Sequence, residues 1–558
     1  MNVAEAVGRA LAARGIDHVF GVVGSGNFHA TNAMVAAGAR FVAAAHEGGA
    51  ASMADGYARV SGRLTALSVH QGPGVTNALT GITEAAKSRT PLVVLAPEAT
   101  NPASNFFVDL QRLAEAVGAG FIRVREPSAA GDAAAAAAMA ERGRTVLLGL
   151  PLDVQARPAR SDGLAEPEPD DPGDGSAPDA EAGVGARVEA GVGALVEALA
   201  AARRPVFIAG RGATRPAGPA REALTALADR CGALLAVSAA AKGLFATDPW
   251  YLDVSGGFAT PLAAELIGQA DLVVAWGSTL NMWTTRHGRL VPPDAVVAQV
   301  DVDPAALGSK HRVDIGLVGD VTGVARACLE ALPDRDRSPV GWRTPDLWAR
   351  IAAEGAWRDV PYVDDSTDGR IDPRTASIAL DDILPAQRTV VVDSGNFMGY
   401  PSMFLSVPDV HGFCFTQAYQ SIGLGLASAI GAAIARPDRL AVAALGDGGF
   451  LMSVAELATA VRLRQPLLVV VYNDAAYGAE VHHFGPHGHP LETVRFPDAD
   501  LAAIGRGFGC AGLTVRTAAD VAAVGDWLAG PDDRPLVVDV KVTSARGSWW
   551  LEEAFRGH

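Results

Sequence analysis

Cysteine is scarce in this chain, and the few cysteines present are far apart. Only four of the 558 residues are cysteine, namely Cys231, Cys328, Cys414 and Cys510. Their spacing matches neither a zinc site nor the dense framework of a disulfide-stabilised domain. Because free cysteines are typical of proteins in a reducing compartment, we expect a cytoplasmic protein.

Excess positive charge and uninterrupted apolar sequence are also missing. The chain has 46 basic and 62 acidic residues, a formal net charge of -16, which argues against a nucleic-acid-binding surface. Apolar stretches such as 423–445 are broken by charged residues, among them Arg436 and Asp438, so no membrane span is predicted. The first residues lack the three regions of a signal peptide, which argues against export.

The length exceeds what one hydrophobic core usually holds. Strand-like apolar runs alternate with helical ones, which predicts three consecutive α/β domains with parallel sheets. The stretch after the first domain is rich in Pro, Asp, Glu, Gly and Ala and has almost no large apolar residue, as expected of a linker. The predicted boundaries are 1–156, 186–335 and 370–545 for the domains, 157–185 and 336–369 for linkers, and 546–558 for a C-terminal tail.

Two acidic residues follow two neighbouring predicted strands near the end of the chain. Residues 440–447 end in the turn Gly446-Asp447-Gly448-Gly449, and residues 467–474 end at Asp474. A strand–helix–strand unit brings both acids to the carboxyl edge of one sheet, where open α/β folds bind ligands. Two carboxylates can hold a hard divalent cation (Mg²⁺, Ca²⁺ or Mn²⁺), and backbone amides of a glycine turn can face a phosphate. The sequence therefore predicts a site for a metal ion and a phosphate.

This pattern resembles the thiamin diphosphate (ThDP) enzymes, whose cofactor motif begins Gly-Asp-Gly and ends in Asn-Asn or Asn-Asp. Two further stretches strengthen the resemblance: 42–59, which contains Glu47, and the glycine loop 71–77. Both are similar to the acetolactate synthase (large subunit) branch, and other positions resemble benzoylformate and pyruvate decarboxylases. The resemblance implies a pyrimidine-binding domain, a middle domain and a diphosphate-binding domain, in that order.

The resemblance also implies roles for individual residues. Glu47 would bind the aminopyrimidine ring and activate the cofactor, and Ile422 would keep the cofactor bent. Asp447 and Asp474 would hold the metal with the backbone carbonyl of Ala476. The predicted cofactor contacts are Glu47, Gly72, Asn77, Gly395, Asn396, Ile422, Gly446, Asp447, Gly448, Gly449, Asp474, Ala476 and Tyr477.

Glu47 also allows a prediction from its surroundings. It follows the apolar run 41–45, so we expect a carboxylate at a strand end in an apolar setting, with a raised pKa. The alternative is a glutamate that only stabilises a helix N-terminus.

Further catalytic candidates rest on looser similarity. Ser25 and His70 match positions that bind the substrate carboxylate and transfer protons in benzoylformate decarboxylase, although His70 could equally be structural. Glu480 resembles a catalytic acid of pyruvate decarboxylase, and His482 follows it. Alternatives for this segment are a metal site of four histidines or a solvated loop without a role. Gln111 falls where the synthase branch has a glutamine facing the substrate.

The function that this resemblance implies is decarboxylation of a 2-oxo acid and ligation of the resulting acyl carbanion equivalent to an acceptor. Protonation to an aldehyde, C–C lyase or hydrolase chemistry, and a non-catalytic binding protein are the alternatives. Ile422, where the synthases usually have methionine, and His70 argue against true acetolactate synthesis. The resemblance further implies a homodimer at minimum, often a homotetramer, with each active site between two subunits. It leaves open whether FAD or ADP binds the middle domain.

Overall fold

The computed structural model describes residues 1–159, 191–215, 217–333, 342–530 and 533–554. These residues form three six-stranded sheets in which every pair of neighbouring strands is parallel. The predicted fold class, three consecutive parallel-sheet α/β domains, is confirmed. Most of the predicted linker 157–185 lies outside the described residues. Within the described ranges, no helix is long and apolar enough to cross a bilayer.

The first sheet lies in the N-terminal domain. Its strands are β1 (His18–Gly21), β2 (Arg40–Ala43), β3 (Thr65–Ser68), β4 (Leu92–Glu98), β5 (Gly120–Arg123) and β6 (Thr145–Pro151), and its helices are α1 (Val3–Ala13), α2 (Phe28–Ala36), α3 (Glu47–Ser61), α4 (Pro73–Lys87), α5 (Leu110–Val117), α6 (Ala129–Glu141) and α7 (Leu152–Gln155). The strand order is β2-β1-β3-β4-β6-β5. Strands β3, β4 and β6 are buried along their whole length, as expected when helices cover both faces of a parallel sheet.

The second sheet forms the middle domain, with strand order β12-β11-β10-β7-β8-β9. Its elements are β7 (Pro205–Ala209), β8 (Leu234–Val237), β9 (Tyr251–Val254), β10 (Leu272–Trp276), β11 (Val296–Asp301), β12 (Ile315–Val318), α8 (191–201), α9 (Ala217–Cys231), α10 (Pro261–Ile267), α11 (Met282–Thr285), α12 (Val321–Ala331) and α13 (Pro345–Glu354). Helix α13 lies inside the stretch 336–369, which was predicted as a linker. Its Ile351 is buried in the same apolar cluster as Val206 and Ile208, so this stretch contributes to the core of the middle domain.

The third sheet, with strand order β14-β13-β15-β16-β18-β17, carries the glycine turn. Its elements are β13 (Arg388–Val392), β14 (Phe413–Phe415), β15 (Leu440–Gly446), β16 (Leu467–Asn473), β17 (Ala511–Val515), β18 (Leu536–Lys541), α14 (Pro373–Ile383), α15 (Gly399–Phe404), α16 (Gly425–Ala435), α17 (Asp447–Ser453), α18 (Glu456–Leu463), α19 (Gly478–Phe484), α20 (Leu501–Gly507), α21 (Ala522–Ala529) and α22 (Trp549–Ala554). Strands β15 and β16 are neighbours in register, with Gly446 opposite Tyr472, so both end at the same edge. The connection between these two strands, predicted as one helix of a strand–helix–strand unit, forms two helices, α17 and α18.

The N-terminal and C-terminal domains pack closely through α3 and α16. A Cβ atom on Gly56 would lie 2.3 Å from the carbonyl oxygen of Ser428, and one on Gly431 would lie 2.0 Å from that of Met53. Only glycine allows the two backbones to approach so closely. Helix α3 begins at Glu47, the predicted activating glutamate. This contact therefore connects the helix of Glu47 to the domain that carries the glycine turn.

Candidate cofactor site

The two predicted metal ligands meet at the carboxyl edge of the third sheet. Asp447 opens α17 directly after β15, and Asp474 directly follows β16. Both line a cavity of about 500 Å³ together with Gly446, Gly448 and Gly449. Asp447 is only 8% exposed, and its Oδ1 accepts the N–H of Gly448 at 3.0 Å. The strand–helix–strand reasoning therefore places the pair as the sequence predicts.

The electrostatics of this pair suit a cation. Burial raises the pKa of Asp447 to about 6, against the effect of backbone donors. Burial and the neighbouring charge of Asp447 raise the pKa of Asp474 to about 7. Two acids that disfavour each other's ionised form become stable as carboxylates when a divalent cation lies between them. The donor set thus fits a hard metal ion.

The glycines of the turn place backbone atoms at the wall of the cavity, and close neighbours leave no room there for side chains. A Cβ atom on Gly448 would lie 2.6 Å from the ring of Tyr477, and one on Gly449 would lie 2.4 Å from the carboxylate of Asp393. Gly395, with φ of 140°, and Asn396 line the same cavity after β13. Backbone amides at helix starts and glycine turns bind phosphate groups. The residues present therefore fit a diphosphate bound to a metal ion.

Asp393 is a buried acid of this edge that the sequence reasoning missed. Its carboxylate accepts the N–H groups of Ser394 at 2.9 Å, Gly423 at 2.8 Å and Leu424 at 3.3 Å. It thereby connects the end of β13 to the segment that carries Ile422. Burial raises its pKa to about 6. The available signal was an acid directly after the apolar run 390–392, because Asp447 and Asp474 also stand at the carboxyl ends of their strands.

Several other predicted residues share the cavity. Ile422, Ala476, Tyr477 and Glu480 all line it. His482 lies on α19 beyond Glu480, and among the described residues its buried Nε2 has no hydrogen-bond partner. Burial lowers the pKa of this imidazole.

No group of three or more His, Cys, Asp or Glu side chains within the described ranges is arranged to hold a metal ion. The alternative of a four-histidine site in this segment therefore has no support from these residues.

The candidates of the N-terminal domain form a second group. Glu47 opens α3, and its Oε2 accepts a hydrogen bond from Nδ2 of Asn77 at 3.1 Å. Gly72, with φ of 62°, precedes α4 and starts the loop that brings Asn77 to Glu47. Glu47 is half-buried and has a polar partner, so the expected apolar setting is not found within one chain. The physical reason is that the residue begins a helix at the domain surface and does not end the strand.

His70 and Ser25 lie near each other in this second group. A Cβ atom on Gly24 would lie 2.5 Å from Nδ1 of His70, and Ser25 follows as an exposed residue. The imidazole packs edge-on against Phe106, with ring centroids 5.9 Å apart. Its buried Nδ1 has no hydrogen-bond partner among the described residues. An unpaired polar atom in such a position is available to a ligand.

The predicted residues do not all lie at one site. The cavity of Asp447 and Asp474 is lined by residues of the third and middle domains, such as Trp283, and neither Glu47 nor His70 lines it. Gln111 joins neither group: it lies exposed on α5 and donates to Glu115 at 3.1 Å, one helical turn away.

Comparison with known proteins identifies the family. Residues 1–105 match the thiamine pyrophosphate enzyme N-terminal TPP binding domain, 192–332 the central domain and 393–540 the C-terminal TPP binding domain. A probable 2-ketoarginine decarboxylase from Pseudomonas aeruginosa is 32% identical, over 92% of this chain and 89% of its own length. A sulfoacetaldehyde acetyltransferase from Alcaligenes xylosoxydans xylosoxydans is 30% identical, over 86% and 82%. The large subunit of acetolactate synthase isozyme 2 from Escherichia coli is 27% identical, over 99% and 97%.

The chain belongs to the thiamine pyrophosphate enzyme family. Thiamine pyrophosphate is another name for ThDP, so the resemblance inferred from the three motifs is confirmed, including the acetolactate synthase-like branch. The prediction of a ThDP-dependent enzyme is confirmed with it. This finding disfavours the non-catalytic alternative.

Proposed function

We propose that this enzyme decarboxylates a small 2-oxo acid and ligates the acyl fragment to an acceptor, using ThDP anchored by Mg²⁺. The observation that carries the proposal is the pair of buried Asp447 and half-buried Asp474, with raised pKa values, in one cavity with the backbone of a glycine turn. The backbone carbonyl of Ala476 would complete the protein ligands, and Ca²⁺ or Mn²⁺ could replace Mg²⁺. The family match and the names of relatives that include decarboxylase, acetyltransferase and synthase support the same chemistry.

The side chains and backbone would divide the work as follows. The N–H groups near Gly448, Gly449 and Asn396 would bind the diphosphate, and Ile422 would support the bent cofactor. When bound, ThDP would supply the electron sink for loss of CO₂. Glu47, oriented by Asn77, would hold a proton at the pyrimidine ring.

Four further residues would serve the substrate. Ser25 and His70 would bind the substrate carboxylate, and Glu480 and His482 would deliver or accept protons in later steps.

Assembly follows from the separation of the two groups. Glu47 does not line the cavity of its own chain's metal pair. We therefore infer that a complete site combines this cavity with Glu47 of the partner subunit, which requires at least a homodimer and is compatible with a homotetramer. The four cysteines are all free and buried, which supports a reducing, cytoplasmic location.

A second candidate is simple decarboxylation that releases an aldehyde. It is favoured by Glu480, which lines the cavity, and by His482, two residues further along α19, because proton donors at this place could protonate the acyl fragment before an acceptor arrives.

Product analysis separates the candidates. The holoenzyme is incubated with pyruvate and with longer aliphatic and aromatic 2-oxo acids, with and without an acceptor aldehyde, and CO₂ and organic products are identified. We expect ThDP- and Mg²⁺-dependent CO₂ release and a ligated hydroxyketone. An aldehyde as the main product would favour the second candidate. If none of the acids releases CO₂, decarboxylation is wrong, and a lyase or hydrolase of 1,2-dicarbonyl compounds is preferable.

A further inference from the structure

Glu456 is a buried acid that the proposed chemistry does not use. It opens α18 in the C-terminal domain and is only 2% exposed. Its carboxylate accepts two backbone N–H groups of the N-terminal domain: that of Ala45, 3.1 Å from Oε2, and that of His46, 3.0 Å from Oε1. These are the last two amides before Glu47.

The surroundings leave this carboxylate little freedom. The hydroxyl of Thr459 donates to Oε2 at 2.7 Å. A Cβ atom on Gly49 would lie 2.0 Å from Oε1, so only a glycine accommodates the acid at that point of α3. Further along α18, Arg462 donates to the carbonyl oxygen of Ala43. One end of helix α18 therefore contacts the β2–α3 connection, and the other end contacts the last residue of β2.

These bonds matter to both partners. A buried carboxylate is costly without donors. Ala45 and His46 are exposed residues, and their amides supply donors to the buried acid while gaining a fixed acceptor. Hydrogen bonds to an ionised acid are stronger than neutral ones. The amides of Ala45 and His46 lie where the chain leaves β2 and has not yet begun α3, so neither element supplies their acceptor. Glu456 supplies it from 410 residues away.

We propose that Glu456 is a positioning residue that fixes the backbone from which Glu47 extends and so sets the direction of the activating carboxylate. The proposal rests on the proposed function of Glu47. Helix α18 follows α17, which opens at Asp447. One short segment therefore carries both a proposed metal ligand and Glu456, the acid that holds the backbone before Glu47. Since the Glu47 of this chain would serve the site completed by the partner subunit, the segment links the geometry of the two sites.

The test starts with protein free of metal and cofactor. Glu456→Gln has the same shape but keeps one acceptor oxygen and turns an NH₂ group towards the second amide. Amide hydrogen–deuterium exchange is followed by mass spectrometry on peptides covering 43–50 and, as an internal reference, 467–473. Glu492→Gln, an exposed glutamate of the same domain, is the matched control. We expect exchange in 43–50 to become about tenfold faster in Glu456→Gln only, as the loss of a typical hydrogen bond implies.

Kinetics of the loaded enzyme provide the second readout. We expect Glu456→Gln to lower kcat by about tenfold, with KM for the 2-oxo acid and the affinity for Mg²⁺ unchanged, because Asp447 and Asp474 are untouched. Gly49→Ala displaces the same carboxylate without removing it and should reproduce both effects. If Glu456→Gln fails to fold, Gly49→Ala provides the test in its place.

The outcomes are distinguishable. Unchanged exchange in 43–50, or faster exchange in every region alike, would overturn the positioning role. So would faster exchange combined with wild-type kcat and KM. If the wild-type enzyme turns over no 2-oxo acid, the proposed function fails, whereas faster exchange confined to 43–50 in Glu456→Gln would still support the role of Glu456 in fixing the backbone before Glu47.

Discussion

At the scale of single residues, substitution of Asp447 should weaken cofactor binding more than substitution of Asp474. Asparagine in place of Asp474 would keep an amide oxygen that can still coordinate a cation. Asp447→Asn removes the more deeply buried charge, at the start of α17.

We expect Asp447→Asn to weaken Mg²⁺-dependent ThDP binding by more than about tenfold, the low end of losses seen even for outer contacts of metal sites. Asp474→Asn, the matched control, should weaken it less. Isothermal titration with ThDP at several Mg²⁺ concentrations measures both. Wild-type affinity in Asp447→Asn would mean that the metal lies elsewhere.

Glu47 is the second residue whose role can be isolated. Glu47→Gln keeps the size and the contact with Asn77 but cannot hold or release a proton. We expect kcat to fall by about 10² to 10⁴, the range of a lost acid–base group, while ThDP affinity stays near the wild-type value. CO₂ release under saturating cofactor measures this. Full turnover by the variant would contradict the proposed activation.

At the scale of elements, the packing of α3 on α16 depends on glycines. We expect Gly431→Ala to lower the free energy of unfolding by about 1 to 3 kcal/mol, because the new methyl group meets the backbone of Met53. Gly525→Ala, on α21 with open space around it, is the control and should be neutral or slightly stabilising. Urea unfolding of both variants measures the difference. Equal changes in the free energy of unfolding would mean that the contact of α3 with α16 does not depend on a glycine at position 431.

Glu84, near the end of α4, joins the same two domains and predicts a pH dependence. Its carboxylate accepts the N–H groups of Ala418 at 3.1 Å and Tyr419 at 2.6 Å and pairs with Arg59 at 2.7 Å. Burial opposes its ionisation, but Arg59 and the backbone donors outweigh burial, so the pKa lies below its usual value of 4.5.

A carboxyl whose pKa is lower in the folded protein stabilises the fold above the unfolded pKa and loses this effect as the pH falls. We expect the urea midpoint of the wild type to drop as the pH is lowered past about 4.5. The drop should be smaller in Glu84→Gln, measured at the same pH values. Parallel curves for the two proteins would contradict a depressed pKa at Glu84.

The elements also show what the sequence can and cannot predict. The apolar strands, the glycine turn and the position of acids at strand ends are local patterns, so the three sheets and the meeting of Asp447 with Asp474 could be predicted. Asp393, Glu84 and Glu456 act through backbone amides of distant segments, and no local pattern encodes such partners. Helix α13 was missed because its short amphipathic stretch is flanked by residues typical of a linker.

At the scale of the whole molecule, the predicted residues form two groups that one chain keeps apart. The group of Glu47, Asn77 and His70 belongs to the N-terminal domain, and the metal cavity belongs to the C-terminal and middle domains. The resemblance, and not the residue pattern, supplied the expectation that two subunits share each site. A site shared by two subunits stays a prediction. It determines how active a dimer of two different variants should be.

A heterodimer of two impaired variants, assayed at a ThDP concentration that loads the wild type but not Asp447→Asn, tests the shared site most directly. Glu47→Gln and Asp447→Asn chains are co-expressed with different tags, and the mixed dimer is purified through both. If each site takes Glu47 from one subunit and Asp447 from the other, one of its two sites is fully wild type, and we expect about half of wild-type CO₂ release per dimer. A mixed dimer as inactive as its two parents would show that each chain builds its own site.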